Sequence, residues 1–202
     1  MDTVSQLQKQ SQNPWVIFNL VQPRLFPTDT RSIVGSVLLA VAFSANMQIT
    51  ERLDTATVGG IIPWIGLLFA GMWFTTACIY FGLTGGLIVA TFNPIIAVLT
   101  ATGPLAPVHF TINWSYNIPF ALMAYQHLKH NHELTFRQYF VMCLIALIFI
   151  ATGLIPVWLF LFKFNTLQTV GLWIWAVAMS VPHALLGWYF LRAVSKSGIL
   201  AR

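Results

Sequence analysis

GLTGGLIVATFNPIIAVLTATGPLAPVHFTINWSYNIPFALMAY, residues 82–125, contains no Asp, Glu, Lys or Arg. It reads as two apolar segments, each near the ~20 residues a spanning helix needs, joined by the tight connection GPLAP. Polar groups that spanning does not require lie within it. Asn93 precedes Pro94, and His109, Asn113, Tyr116 and Asn117 follow the connection. With Phe120, the last four recur at i, i+4, i+7, i+8 and i+11, so they line one stripe of a helix. An uncompensated polar group in hydrocarbon costs roughly several kcal/mol, so the stripe faces protein, water or ligand.

The rest of the chain has the same character. It holds ten Lys/Arg and five Asp/Glu in 202 residues, 57% of which are hydrophobic, and its mean hydropathy is +0.76. A soluble domain would carry about a quarter charged residues, so the class is an integral membrane protein. The net charge of +5 is scattered around apolar runs and fits a membrane surface rather than nucleic acid. Cys78 and Cys143 lie in apolar runs and read as buried thiols. The N-terminus lacks the pattern of a cleaved signal peptide.

The expected fold is an all-α bundle of six transmembrane helices over 32–50, 57–80, 84–103, 108–127, 136–162 and 168–192. A polar tail, 1–31, precedes the transmembrane domain 32–192, and a short tail, 193–202, follows it. In the first tail, Asn13-Pro14 and WVIFNLVQ suit an interfacial helix or an anchoring turn. With a cytoplasmic N-terminus, Lys9, Arg24, Arg31, Lys129, Arg137, Arg192, Lys196 and Arg202 lie inside, and Arg52 and Lys163 outside. That bias places both termini in the cytoplasm.

Two further stripes stand out. Ser36, Ala40 and Ser44 form successive small-xxx-small steps, suited to docking a partner helix or to packing within the bundle. Gly86, Ala90, Asn93, Ala97 and Ala101 share a face of the third span. Asn93 either satisfies backbone loosened by Pro94 or points at a substrate. In the last span His183 follows Pro182, and either shares a cavity with the fourth helix or bonds the carbonyl that Pro182 frees. Trp114 is offset from the His109–Asn117 stripe by one residue and can reach round the same cavity. The run HLKHNHE, with His127, His130, His132 and Glu133, reads as a solvated boundary loop rather than a metal site.

No Asp, Glu, Lys or Arg is expected deep in a span, and no nucleotide-binding loop is present, so ion coupling and intrinsic ATP hydrolysis are set aside. Neither a metal cluster nor an acid–base pair marks an enzyme, and no cofactor is implied.

The small-residue first helix around Ser36, Ala40 and Ser44 and the glycine-rich GLTGGLIVATFNP with its GPLAP turn resemble the substrate-specific (S) component of an energy-coupling factor transporter. The resemblance implies a six-helix bundle in a bacterial cytoplasmic membrane, or a plastid one, with its cavity toward the outer side. Its partners would be a transmembrane coupling subunit, docked on Ser36-xxx-Ala40-xxx-Ser44 where the family has Ala-xxx-Ala, and two ATPase subunits. The expected ligand is a small neutral or aromatic micronutrient held by His109, Asn113, Trp114, Tyr116, Asn117, His183 and Asn93. The rival expectation is a scaffold subunit of a respiratory or photosynthetic complex.

Overall fold

The computed structural model describes residues 13–17, 20, 24–131 and 133–197. Among the described residues the fold is all-α apart from one short ladder. Its helices are α1 (Thr30–Val58), α2 (Trp64–Thr100), α3 (His109–His130), α4 (Phe136–Pro156), α5 (Thr166–Ala178) and α6 (Ser180–Ser197). Strands β1 (Val16–Ile17) and β2 (Leu134–Thr135) pair antiparallel, Val16 opposite Thr135. The described part of the expected interfacial helix is therefore a turn and a strand. Residues 1–12 and His132 lie outside the described residues.

Among the described residues, four helical segments are long and apolar enough to cross a membrane: Thr30–Val58, Trp64–Thr100, Phe136–Leu161 and Thr166–Ser197. The expected six become four for two reasons. The runs expected at 57–80 and 84–103 fall in one uninterrupted helical segment, α2, whose two halves meet at Gly82, and α3, 22 residues long, is not among the four. Its His and Asn side chains lower the hydropathy of the segment that carries the stripe.

α2 is not straight. Gly82 sits at φ 61°, ψ −156° inside it, a region essentially closed to other residues. A Cβ there would strike the Arg24 carbonyl oxygen and lie 2.8 Å from that of Leu25. The Leu83 N–H donates to the same Leu25 carbonyl at 2.8 Å. Beyond this point the chain folds back. A Cβ on Gly86 would lie 2.6 Å from Cys78 Sγ, although residues eight apart in a straight helix are about 12 Å apart.

The termini of the helices follow from local chemistry. Asp29 caps α1, accepting from Ser32 N at 3.1 Å and Ser32 Oγ at 2.8 Å, and it pairs with Arg24. The Ser32 hydrogen bonds, and then Arg24, hold its carboxyl below the usual carboxylate range. Val58 is followed by Gly59 in the left-handed conformation, φ 68°, the common glycine stop. Thr135 with Gln138, and Asn165 with Gln168, form reciprocal capping boxes on α4 and α5.

The core is aromatic along one column. Tyr116 stacks on Phe120 with ring centroids 5.7 Å apart, and Phe120 meets Tyr139 at 6.0 Å. Tyr139 then meets Trp188 at 5.4 Å. Trp188 Nε1 donates to the Pro14 carbonyl at 3.0 Å, which ties the N-terminal segment to α6. Glycine lets α2 and α6 approach closely, because the His183 ring occupies the space where a Gly71 Cβ would stand.

Candidate functional site

α1 runs on to Val58, eight residues beyond the expected end of the first span, and the extension matters. Ser32, Ser36, Ala40, Phe43, Ser44, Met47, Thr50, Glu51 and Asp54 are its buried residues, on one helical face. Glu51 and Asp54 therefore continue the inward face and are 4% and 2% exposed. This corrects the expectation that no carboxylate is buried in a span. It also removes the ground on which ion coupling was set aside.

Asp54 has an accountable role. Pro63, at the N-cap of α2, has no side chain that can accept, and Asp54 supplies the missing oxygens. Its carboxylate accepts from Ile65 N at 2.8 Å and Gly66 N at 2.9 Å, at the positive end of the helix dipole.

Glu51 is held by side chains instead. Asn93 Nδ2 donates to Oε1 at 3.0 Å, and the Thr102 hydroxyl donates to Oε2. A carboxylate only accepts, so the Asn93 amide is turned with its oxygen away from Glu51. His109 Nδ1 stands 3.4 Å from Glu51 Oε1, yet the alignment does not make a hydrogen bond, and Nδ1 is left without a partner. Asn93 Oδ1 is likewise buried and unpartnered. Natural proteins rarely leave such atoms unmade, since each costs about 1–3 kcal/mol.

Glu51 and His109 border two small cavities. One, of about 30 Å³, is walled by Met47, Leu67, Phe74, Ile112 and Ile150, with Glu51, His109 and Asn113 at its polar edge. The other, of about 10 Å³, lies where Glu51, Asp54 and His109 meet Gly60, Pro63, Gly103 and Ala106. The first has room for about two waters. Above them the connection after α1 and the connection after α2 cover each other. Thr55 Oγ1 donates to the Thr102 carbonyl at 2.9 Å, and a Cβ on Gly60 would lie 2.7 Å from Pro104.

The remaining sequence-expected residues divide into groups. Asn113 and Asn117 are buried, but each is committed to helix packing. Asn113 Nδ2 donates at 3.3 Å to the Ala90 carbonyl, the group Pro94 leaves without its helical partner. Asn117 Nδ2 donates to the Asn113 carbonyl at 2.8 Å, and its Oδ1 lies 3.3 Å from Cys78 Sγ. Asn93, offered as the local partner of that loosened carbonyl, reaches across to α1 instead.

His183 and Tyr116 form a second cluster, both 0% exposed. His183 Nδ1 lies 2.7 Å from the Leu67 carbonyl and Nε2 lies 2.8 Å from the Tyr116 hydroxyl. The carbonyl freed by Pro182 is not its partner. Leu67 also walls the larger cavity, so this cluster braces the site from below. Trp114 does not join either group. It is 43% exposed and donates to Thr91 Oγ1 at 3.1 Å, beside an open groove lined by Phe110, Ile118 and Phe149.

Ser36, Ala40 and Ser44 are buried, at 0%, 0% and 4% exposure. Ser36 Oγ donates to the Ser32 carbonyl at 2.6 Å and faces Gly85 of α2. The small stripe therefore packs α1 against its own bundle, and the outward face of α1 is instead formed by Val34, Leu38 and Val41. His127 Nε2 lies 3.1 Å from the Glu133 carbonyl, and no group of three metal-ligating residues occurs among the described residues. Sequence reasoning missed Glu51 and Thr102. The three-and-four spacing from Ser36 through Met47 to Glu51 was the signal, hidden by ending the helix at the first charged residue. Compared with known protein families, with characterised proteins and with solved structures, the chain gives no match.

Proposed function

We propose that this chain is a membrane-embedded solute-binding subunit that works as the substrate-specific component of an importer of the energy-coupling factor type. The observation carrying the reading is the buried Glu51–Asn93–His109 cluster, in which Asn93 Oδ1 and His109 Nδ1 lack partners and Glu51 and His109 border a small cavity beneath two turns. A bound solute, like an ordered water, would complete these atoms. Transport would be energised by a transmembrane coupling subunit and two ATPase subunits, and the two turns would part to admit the ligand. The chain itself would carry out no covalent chemistry.

In this reading the bundle crosses the membrane six times, with both termini cytoplasmic. The reversal at Gly82 divides α2 into two arms of spanning length, and the polar helix α3 crosses shielded by its neighbours. The Lys and Arg pattern supports the orientation. A bacterial cytoplasmic membrane is the natural setting, with a plastid membrane the second choice. Isolation of the tagged protein in mild detergent tests the reading. It predicts a coupling subunit with two ATPases in the eluate and a small molecule in the bundle.

A second reading, a scaffold subunit of a larger membrane complex, draws on one observation. The Tyr116–Phe120–Tyr139–Trp188 column fills the middle of the bundle. Recovery with respiratory or photosynthetic subunits, and no small molecule, would favour it.

A further inference from the structure

We infer that the groove between the end of α3 and the start of α4 docks one anionic glycerophospholipid, its phosphate at Arg137 and an acyl chain running inward over Met123, Val141 and Met142. The inference stands on the membrane-embedded fold and is independent of what the Glu51 cluster holds. The two helices pack side by side, with the Phe120 and Tyr139 rings 6.0 Å apart and the Tyr116 hydroxyl 3.5 Å from Cys143 Sγ. Toward the end of α3 and the start of α4, an open groove of about 760 Å³ lies between them. That is the size of a small-molecule site.

The lining is graded along the helix axes. Gln126, Thr135, Arg137 and Gln138 form its outer end, and Met123, Val141 and Met142 lie about one helical turn further in. The outer end stands at headgroup depth. Trp15, 46% exposed, packs on Phe136 with ring centroids 5.2 Å apart, and its carbonyl accepts from Phe136 N at 2.8 Å. Exposed tryptophan gathers at the membrane–water boundary, and Phe136 is the residue before Arg137. Val141, one turn deeper, is 44% exposed. A molecule with a charged head and a hydrocarbon tail follows this order, whereas a free phosphate would use only the outer end.

The charge of that end selects the head. Among the described residues Arg137 has neither an ion pair nor a hydrogen bond, whereas Arg24 is matched by Asp29 and Arg52 reaches the Thr100 carbonyl. A guanidinium presents its donors in a planar fork that meets two phosphate oxygens at once. Lys129 and His130, in the last turn of α3, keep the surrounding rim basic against Glu133 of the connection. No Asp or Glu lines the groove itself. The ammonium of a zwitterionic head therefore finds no counter-charge there, while a head that carries the phosphate charge alone gives up nothing. This favours a phosphatidylglycerol-like lipid over phosphatidylethanolamine.

Lipid competition tests this on the full-length protein in nanodiscs of equimolar phosphatidylglycerol and phosphatidylethanolamine with identical acyl chains. The protein is released into mild detergent and its retained lipid is read by native mass spectrometry. The wild type should hold one phosphatidylglycerol at least about fivefold more often than one phosphatidylethanolamine, the ratio expected for one cation at the surface. Arg137→Gln should bring that ratio to roughly one, and Lys196→Gln, which removes a cation outside the groove, should leave it unchanged. Val141→Trp fills the groove from an exposed position and should lower retention of both lipids. Washing the wild type in about 1 M salt should also lower the ratio, a reading that stands even if Arg137→Gln folds poorly. Equal retention of the two lipids by the wild type, or a preference that survives Arg137→Gln or the salt wash, would overturn the inference. So would an equal loss of preference in Lys196→Gln, which makes the effect one of diffuse charge. A dimer that dissociates on Val141→Trp would overturn it as well, by giving the groove to a second copy of the chain.

Discussion

His183 shows how strictly a buried polar residue is constrained. The Leu67 carbonyl 2.7 Å from its Nδ1 can only accept, so Nδ1 carries the proton. Nε2 is then an acceptor, and the Tyr116 hydroxyl 2.8 Å away donates to it. Tyr116→Phe removes that donor and leaves a buried nitrogen without a partner, which should cost about 1–3 kcal/mol. Chemical unfolding in detergent would measure it, and an unchanged midpoint would show that the pair contributes nothing to stability. The same logic separates the Asn residues. Asn113→Leu exposes the Ala90 carbonyl to an apolar neighbour and should destabilise the bundle, because Pro94 has already taken away that carbonyl's helical partner. From the sequence, the stripe of His109, Asn113, Tyr116 and Asn117 was legible as a buried polar face, since its period is that of a helix. Its partition was not legible. Which side chain meets a proline-freed carbonyl and which meets a carboxylate depends on helix rotation and long-range pairing.

Among the elements, α2 depends most on one residue. Gly82 is in a region closed to residues with a Cβ, and the Arg24 and Leu25 carbonyls fill the space a side chain would need. Gly82→Ala should prevent the reversal and yield protein that fails to elute as a monodisperse species. Gly171→Ala is the control, because nothing lies within 4 Å of its Cβ position and alanine favours helix by roughly 1 kcal/mol. If the two variants behaved alike by size-exclusion chromatography, the account of the reversal would be wrong. The caps make a smaller claim. Thr135→Ala should cost about 1 kcal/mol through loss of its capping box. At the start of α1 the carboxyl of Asp29 is held below its ordinary range, so its contribution is present above that range and disappears as pH falls through the lowered value. Helix existence was readable from the apolar runs. The reversal at Gly82 was readable only as a gap between spans, since one glycine does not announce its torsion angles. The extension of α1 past residue 50 was masked by charge, because Glu51 and Asp54 look like loop until their helical spacing to Met47 is counted.

For the whole molecule, the directions of the helices separate the ends. Leu83 bonds Leu25, so the reversal lies beside the start of α1, whereas Thr102 bonds Thr55 and Glu51 near its end. Six crossings with cytoplasmic termini predict that cysteines placed at Lys129 and Lys196 react from the cytoplasmic side and those at Thr57 and Lys163 from the outer side. Cys78 and Cys143 are buried and should stay silent to a membrane-impermeant maleimide. Labelling of Lys163→Cys and Lys129→Cys from one side would contradict that topology. The central claim, that the cluster beneath the two turns exists to hold a solute, is tested most directly by native mass spectrometry of the wild type and His109→Leu. His109 Nδ1 has no hydrogen bond to lose, so the substitution should leave thermal stability within about 1 kcal/mol of wild type. The account predicts a small-molecule adduct at one per chain in the wild type and its loss in His109→Leu at unchanged stability. A wild type free of adduct, or a His109→Leu protein that keeps the adduct, would contradict it.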